Sequence, residues 1–141
     1  MTHKTPPSRI LLVEDDTALR LTLADLLAGR GYVVATSPDG GAALHRLQQE
    51  PFDLLLTDLA MPRMGGDELL RNVKAAHPSL PVIVMSGSAS GPVREHLVQA
   101  GAACFVAKPL RLLPLLDAIA RALDIRGPSS EQASKGSELH H

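Results

Sequence analysis

Three carboxylates and one ammonium group stand at the ends of apolar runs in this chain. Glu14 and Asp15 follow Ile10-Leu11-Leu12-Val13, Asp58 ends the stretch begun by Phe52-Asp53-Leu54-Leu55-Leu56-Thr57, and Lys108 follows Cys104-Phe105-Val106-Ala107. Short runs of this kind read as buried strands, and a charged residue at the end of one projects from the sheet edge. If the three strands are parallel neighbours, the four groups converge on one small site. Two unit charges ~4 Å apart at an effective dielectric near 20 interact by ~4 kcal/mol, so three carboxylates in one pocket oppose folding unless neutralised. A divalent cation is the simplest remedy. All-oxygen ligands suit a hard ion, and a site with few protein ligands and room for water and phosphate suits Mg²⁺ better than Ca²⁺. No thiolate or histidine pair is spaced to favour zinc.

The elements that must position these groups follow from hydrophobic period. Strands are expected at 10–13, 32–36, 53–57, 81–86 and 103–107, alternating with stretches of helical period,. In the first helix, Leu19, Leu23, Leu26 and Leu27 share one face, with Asp16 or Thr17 to cap it and Gly29 or Gly31 to end it,. Further helices are expected at 39–49, 67–76, 92–100 and 112–123, the last with Leu112, Leu115, Leu116, Ile119 and Leu123 on its apolar side. Five βα units imply an open, doubly wound parallel sheet covered on both faces, with ligands gathered at the carboxyl ends of its strands.

Composition restricts the alternatives. The chain has 141 residues, 45% hydrophobic and 21% charged, with a net charge of -1. That fits one domain with a real core and gives no basic excess for direct nucleic-acid or membrane binding. Cys104 is alone, inside an apolar run, and reads as a small core residue,. His45, His77 and His96 fall on expected helices and read as solvent-facing. No apolar stretch approaches the ~20 residues needed to cross a bilayer, so a soluble cytoplasmic protein is the expectation. Residues 1–7 and 126–141 read as disordered, and His140-His141 as part of a purification tag or its remnant,.

Four strings in order, each ending an expected strand, carry a family resemblance: Leu12-Val13-Glu14-Asp15-Asp16, Asp58-Leu59-Ala60-Met61-Pro62-Arg63-Met64-Gly65-Gly66, Val84-Met85-Ser86-Gly87 and Phe105-Val106-Ala107-Lys108-Pro109. Residues 8–125 resemble a CheY-like response-regulator receiver domain of two-component signalling. The resemblance implies a flavodoxin-like (βα)5 fold with strand order 2-1-3-4-5. It implies that Asp58 accepts a phosphoryl group from the phosphohistidine of a histidine kinase or phosphotransfer protein. Asp15, Asp58 and the backbone carbonyl of Ala60 would bind Mg²⁺ (or Mn²⁺), with Glu14 holding the ion through water. Ser86 matches the switch hydroxyl, Lys108 the cation that pairs with phosphoryl oxygens, and Phe105 the switch aromatic. Pro109 would follow a cis peptide that aims Lys108 into the site. Gly65-Gly66 reads as a turn into the third helix, because no GxxxxGK[ST] or GxGxxG pattern is present,.

Such a domain would catalyse only its own phosphorylation and dephosphorylation. The added charge would draw Ser86 inward and shift the surface made by the fourth helix, last strand and fifth helix, changing its affinity for a downstream protein or output domain. The unit would be a monomer or a phosphorylation-dependent homodimer; the charges of Val93-Arg94-Glu95-His96-Leu97 read as a solvated face. Ala60 and Ser88 are small, which implies open water access to Asp58 and a phosphoryl lifetime limited by self-hydrolysis. Two enzyme or carrier alternatives fail on residues: Asp58-Leu59-Ala60 lacks the second acid of a DxDxT phosphatase, and Glu14-Asp15-Asp16 would repel a flavin phosphate. A receiver-like interaction module that is not phosphorylated is the remaining alternative. The chain is compatible with a stand-alone regulator or with a receiver from a transcription factor or hybrid kinase.

Overall fold

A computed structural model describes residues 6–87 and 90–126. Ten elements alternate without exception: β1 (Arg9–Val13), α1 (Thr17–Ala28), β2 (Val33–Ser37), α2 (Gly40–Gln49), β3 (Leu54–Asp58), α3 (Gly66–Ala76), β4 (Val82–Ser86), α4 (Gly91–Gln99), β5 (Cys104–Ala107) and α5 (Leu112–Arg126). All strand pairs are parallel, in the order β2-β1-β3-β4-β5.

The strand sequences explain both layers. Side chains alternate across a sheet, so each strand feeds two cores. Ile10, Leu12, Leu54, Leu56, Ile83, Met85 and Val106 pack with Leu23, Leu27, Leu115 and Ile119 of α1 and α5. Leu11, Val13, Leu55, Val82 and Val84 pack on the other face with Leu47, Leu69, Leu70, Val73 and Leu97 of α2, α3 and α4. Burial on both faces is why β1, β3 and β4 read as unbroken apolar runs. Each fully buried Leu, Ile or Val contributes roughly 1.5–3 kcal/mol relative to exposure.

The phase of this alternation positions the charges. Glu14, Asp58 and Lys108 lie two residues beyond Leu12, Leu56 and Val106, all of one face, so all three leave the sheet on the same side. Register completes the alignment: Val13 pairs with Thr57, and Asp58 with Met85, while Ser86 pairs with Ala107.

Several expectations shift. Each strand start or end moves by one residue, so that Asp58 closes β3 and Ser37 closes β2. Helix α5 continues to Arg126, beyond the expected 123. Leu26 is 41% exposed because Leu23 and Leu27, with Leu19 and Ala24 partly buried beside them, form the face of α1 that meets the sheet. His77 is half-buried as the C-cap of α3 rather than helical, its backbone N–H donating to Val73 O at 2.6 Å. Cys104 is half-buried beside the α1/α5 core, because β5 is an edge strand. The expectations for residues 1–5, for Ser88 and for 127–141, including His140-His141, lie outside the described residues.

Candidate functional site

At the carboxyl ends of β1, β3 and β5, Lys108 Nζ stands 3.0 Å from Glu14 Oε1 and 3.1 Å from Asp58 Oδ1. The Glu14 and Asp58 side chains are 1% and 7% exposed. Asp15 is exposed, yet it, Glu14 and Asp58 each place a carboxylate oxygen within 4.8 Å of the other two. The four groups singled out by spacing therefore meet. Lys108 bridges two of the acids instead of standing apart from them, because two nearly buried carboxylates need a counter-charge.

The loop after β1 is held at many points. Glu14 N–H donates to Ser37 O at 3.2 Å, and its Oε2 accepts from Asp16 N–H at 3.1 Å. Asp16 in turn caps α1, its Oδ1 accepting from Leu19 N–H at 3.1 Å; such a cap stabilises by about 1 kcal/mol. After β3, Thr57 Oγ1 donates to Asp58 O at 2.9 Å, and Leu59 N–H donates to Met85 O at 2.8 Å. The chain then doubles back, with Gly66 N–H on Leu59 O at 2.8 Å. A Cβ at Gly66 would lie 2.8 Å from Leu59 Cα and closer still to Asp58 O. Glycine is required there to let α3 start against the loop of Asp58, which is the turn role expected of Gly65-Gly66.

Ser86 is 6% exposed at the end of β4, and its carbonyl accepts from Lys108 N–H at 2.8 Å. The peptide between Lys108 and Pro109 is cis. Ala60, two residues past Asp58, is exposed. Phe105 lies on the opposite face of β5 from Val106, packed against the core under α2, α3 and α4. The guanidinium of Arg94 on α4 sits 4.8 Å from its ring centroid.

Charge is unbalanced at the site, with three carboxylates facing one ammonium. Burial raises the Glu14 pKa above the usual carboxylate range; hydrogen bonds from Asp16 N–H and Lys108 only partly offset it, and Asp58 adds repulsion. Burial alone would lower Lys108, but its hydrogen bonds to Glu14 and Asp58 and their charges outweigh this, so its pKa is raised. Both directions follow from an excess of negative charge in a poorly hydrated pocket. The donor set is hard oxygen throughout, with one exposed carboxylate leaving an open side, which fits Mg²⁺ or Mn²⁺,.

Two arginines were not legible as part of this region. Arg20 Nη1 donates to Glu14 O at 2.8 Å, and Arg94 covers Phe105. Neither partner is close in a pattern sense: one is a backbone carbonyl, and the other is a ring on a distant strand.

A parallel sheet in this order, with an acid cluster and a lysine at its carboxyl edge, defines a class. The family model of the response regulator receiver domain matches residues 10–120, and the chain belongs to that family, whose members are signalling modules of two-component systems. Among relatives, it is 34% identical over 132 residues to the transcriptional regulatory protein GlrR of Escherichia coli K12, covering 94% of this chain but 29% of GlrR. It is 38% identical over 115 residues to the response regulator receiver protein CpdR of Brucella abortus, covering 82% of this chain and 96% of CpdR. The fold is matched by a CheY-like receiver domain from Methanospirillum hungatei with TM-score 0.81 and 33% identity, over 85% of this chain and 96% of that one. The chain thus spans less than a third of GlrR and nearly all of CpdR.

Proposed function

We propose that residues 8–125 form a phosphoacceptor unit in which Asp58 takes a phosphoryl group from the phosphohistidine of a histidine kinase or phosphotransfer protein. The observation that carries this reading is the contact of Lys108 Nζ with Asp58 Oδ1 and Glu14 Oε1, next to the exposed Asp15. An Asp58 carboxylate oxygen attacks phosphorus in line. The new O–P bond forms as the P–N bond breaks, and the departing imidazole keeps the electron pair. Lys108 then exchanges one of its carboxylate partners for a phosphoryl oxygen, and its raised pKa keeps it cationic throughout,. Asp15, Asp58 and the carbonyl of Ala60 would hold Mg²⁺ or Mn²⁺, with Glu14 acting through water; bound there, the ion neutralises charge on the acids and the phosphoryl oxygens. The unit catalyses only its own phosphorylation and dephosphorylation, with the exposed Ala60 leaving water a path to Asp58.

The readout is the surface of α4, β5 and α5. Ser86 supplies a hydroxyl to the phosphoryl oxygens, and Phe105 repacks behind it, altering affinity for a downstream protein or output domain, or for a second copy. The setting is cytoplasmic; among the described residues no helix is long and apolar enough to cross a membrane.

Incubation with acetyl phosphate and Mg²⁺, followed by phosphate-affinity electrophoresis, should convert wild type to a slower species that hydroxylamine removes. Asp58→Ala should give none. A wild-type chain that never shifts, with either acetyl phosphate or a panel of phosphorylated kinases, would make it an interaction module instead.

A further inference from the structure

We infer that Arg20 is a positioning residue for the divalent-ion site, setting the peptide between Glu14 and Asp15. The inference rests on the proposed use of the acid cluster to hold such an ion. Arg20 is one turn into α1, its backbone N–H donating to Asp16 O at 2.9 Å. Side chains on a helix lean toward its N-terminus, and the Arg20 side chain follows that lean to bring Nη1 within 2.8 Å of Glu14 O.

The bond fixes the last backbone group of Glu14 at this junction. At Glu14 the chain leaves β1, and the side chain is pinned by Lys108 and Asp16 N–H while the backbone N–H is pinned by Ser37 O. Arg20 holds the remaining group, the carbonyl. The orientation of that peptide plane decides where the Cα–Cβ bond of Asp15 points, and Asp15 is the exposed member of the acid cluster. Without Arg20, Asp15 would be tied to the site only through its neighbours in the chain.

The direction of the effect separates positioning from charge. A guanidinium is always protonated, so charge alone predicts that removing Arg20 would tighten cation binding. Positioning predicts the reverse. Loss of groups that orient metal ligands costs 10–100-fold in affinity, and here the tether is one residue removed from the ligand, so about tenfold is expected.

The test is Mn²⁺ binding to the purified chain, followed by electron paramagnetic resonance at fixed ionic strength. Arg20→Ala should weaken Mn²⁺ about tenfold, and Arg20→Lys, which keeps a donor, should stay within about threefold of wild type. Arg30→Ala removes the same charge beyond the far end of α1, more than a Debye length of ~8 Å away, and should leave affinity unchanged. Amide exchange at Asp15 and Asp16 in the metal-free protein should accelerate in Arg20→Ala alone. In acetyl phosphate reactions, the Mg²⁺ concentration for half-maximal rate should rise while the saturating rate is kept. Should Arg20→Ala fail to fold, Arg20→Met keeps the aliphatic stem and carries the same expectation. Unchanged or tighter Mn²⁺ binding in the alanine or methionine variant would overturn the inference. Wild type that binds Mn²⁺ yet takes no phosphoryl group would instead overturn the proposed function and leave the role of Arg20 standing.

Discussion

Glu14 illustrates how a residue of the candidate site opposes the fold that carries it. Its burial raises its pKa, so the folded state holds the proton more tightly than the unfolded chain does. By linkage, its contribution to stability is fully present below the unfolded value near 4.5 and is lost as pH rises through the higher folded value,. At neutral pH Glu14 is therefore a net cost in the metal-free protein, only partly relieved by Lys108. Glu14→Gln keeps an acceptor for Asp16 N–H and Lys108 while removing the charge, and should stabilise the metal-free protein at pH 7 by on the order of 1 kcal/mol. Thermal unfolding should rise by a few degrees. The gain should shrink toward pH 4 and, if the acid cluster holds Mg²⁺ as proposed, be cancelled by millimolar Mg²⁺, which would favour the charged wild-type site. A variant with unchanged or lowered melting temperature at pH 7 would show that the Lys108 bridge outweighs the burial of Glu14.

Among the helices, α4 is the least anchored. Leu97 is its only buried residue, whereas α3 buries Leu69, Leu70 and Val73. Val93 and Val98 are 38% and 60% exposed, and beside Val93 a cleft of about 410 Å³ opens between α4 and residues Leu59 and Asp67. The Arg94–Phe105 contact is a second tie between α4 and β5, beside the buried Leu97. A cation–π pair at an exposed site contributes roughly 0.5–1 kcal/mol, equivalent to about a two- to fivefold change in an opening equilibrium. Arg94→Gln should accordingly speed amide exchange in α4 by about that factor and leave α5, which buries Leu115 and Ile119, unaffected,. Equal acceleration in both helices would mean that global stability, not the tether, had changed. The elements themselves were readable before coordinates because β1, β3 and β4 are buried on both faces and show unbroken apolar runs. The tether was not, since nothing in the local spacing of Arg94 points to a ring on β5. Leu26 was misplaced for a related reason: helical period defines a stripe, but the sheet below decides how much of it is covered.

For the molecule as a whole, convergence of the acids was legible because each follows an apolar run, and a doubly wound sheet brings such ends together at one edge. The same geometry predicts where a charge placed on Asp58 is felt. Asp58 pairs in register with Met85, the residue before Ser86; Ser86 pairs with Ala107, and Val84 pairs with Phe105 under Arg94 of α4. On the other side, β3 reaches β2 only through β1, and Glu14 N–H is already engaged by Ser37 O. A perturbation at Asp58 is therefore expected to reach β5 and α4, which buries only Leu97, more readily than β2 and α2, which buries Gly40, Ala43 and Leu47. Beryllofluoride with Mg²⁺, which mimics a phosphoryl group on a carboxylate, should shift amide resonances of β4, α4 and β5 while those of α2 and the distal half of β2 stay in place. Coupling of 1–3 kcal/mol is the usual scale for such two-state shifts, enough to change partner affinity roughly 5- to 150-fold. Arg94→Gln, by loosening α4, should move metal-free resonances part of the way along the same shift vectors. If beryllofluoride instead perturbed only the residues around Asp58, the α4 and β5 surface would not be the output of this domain.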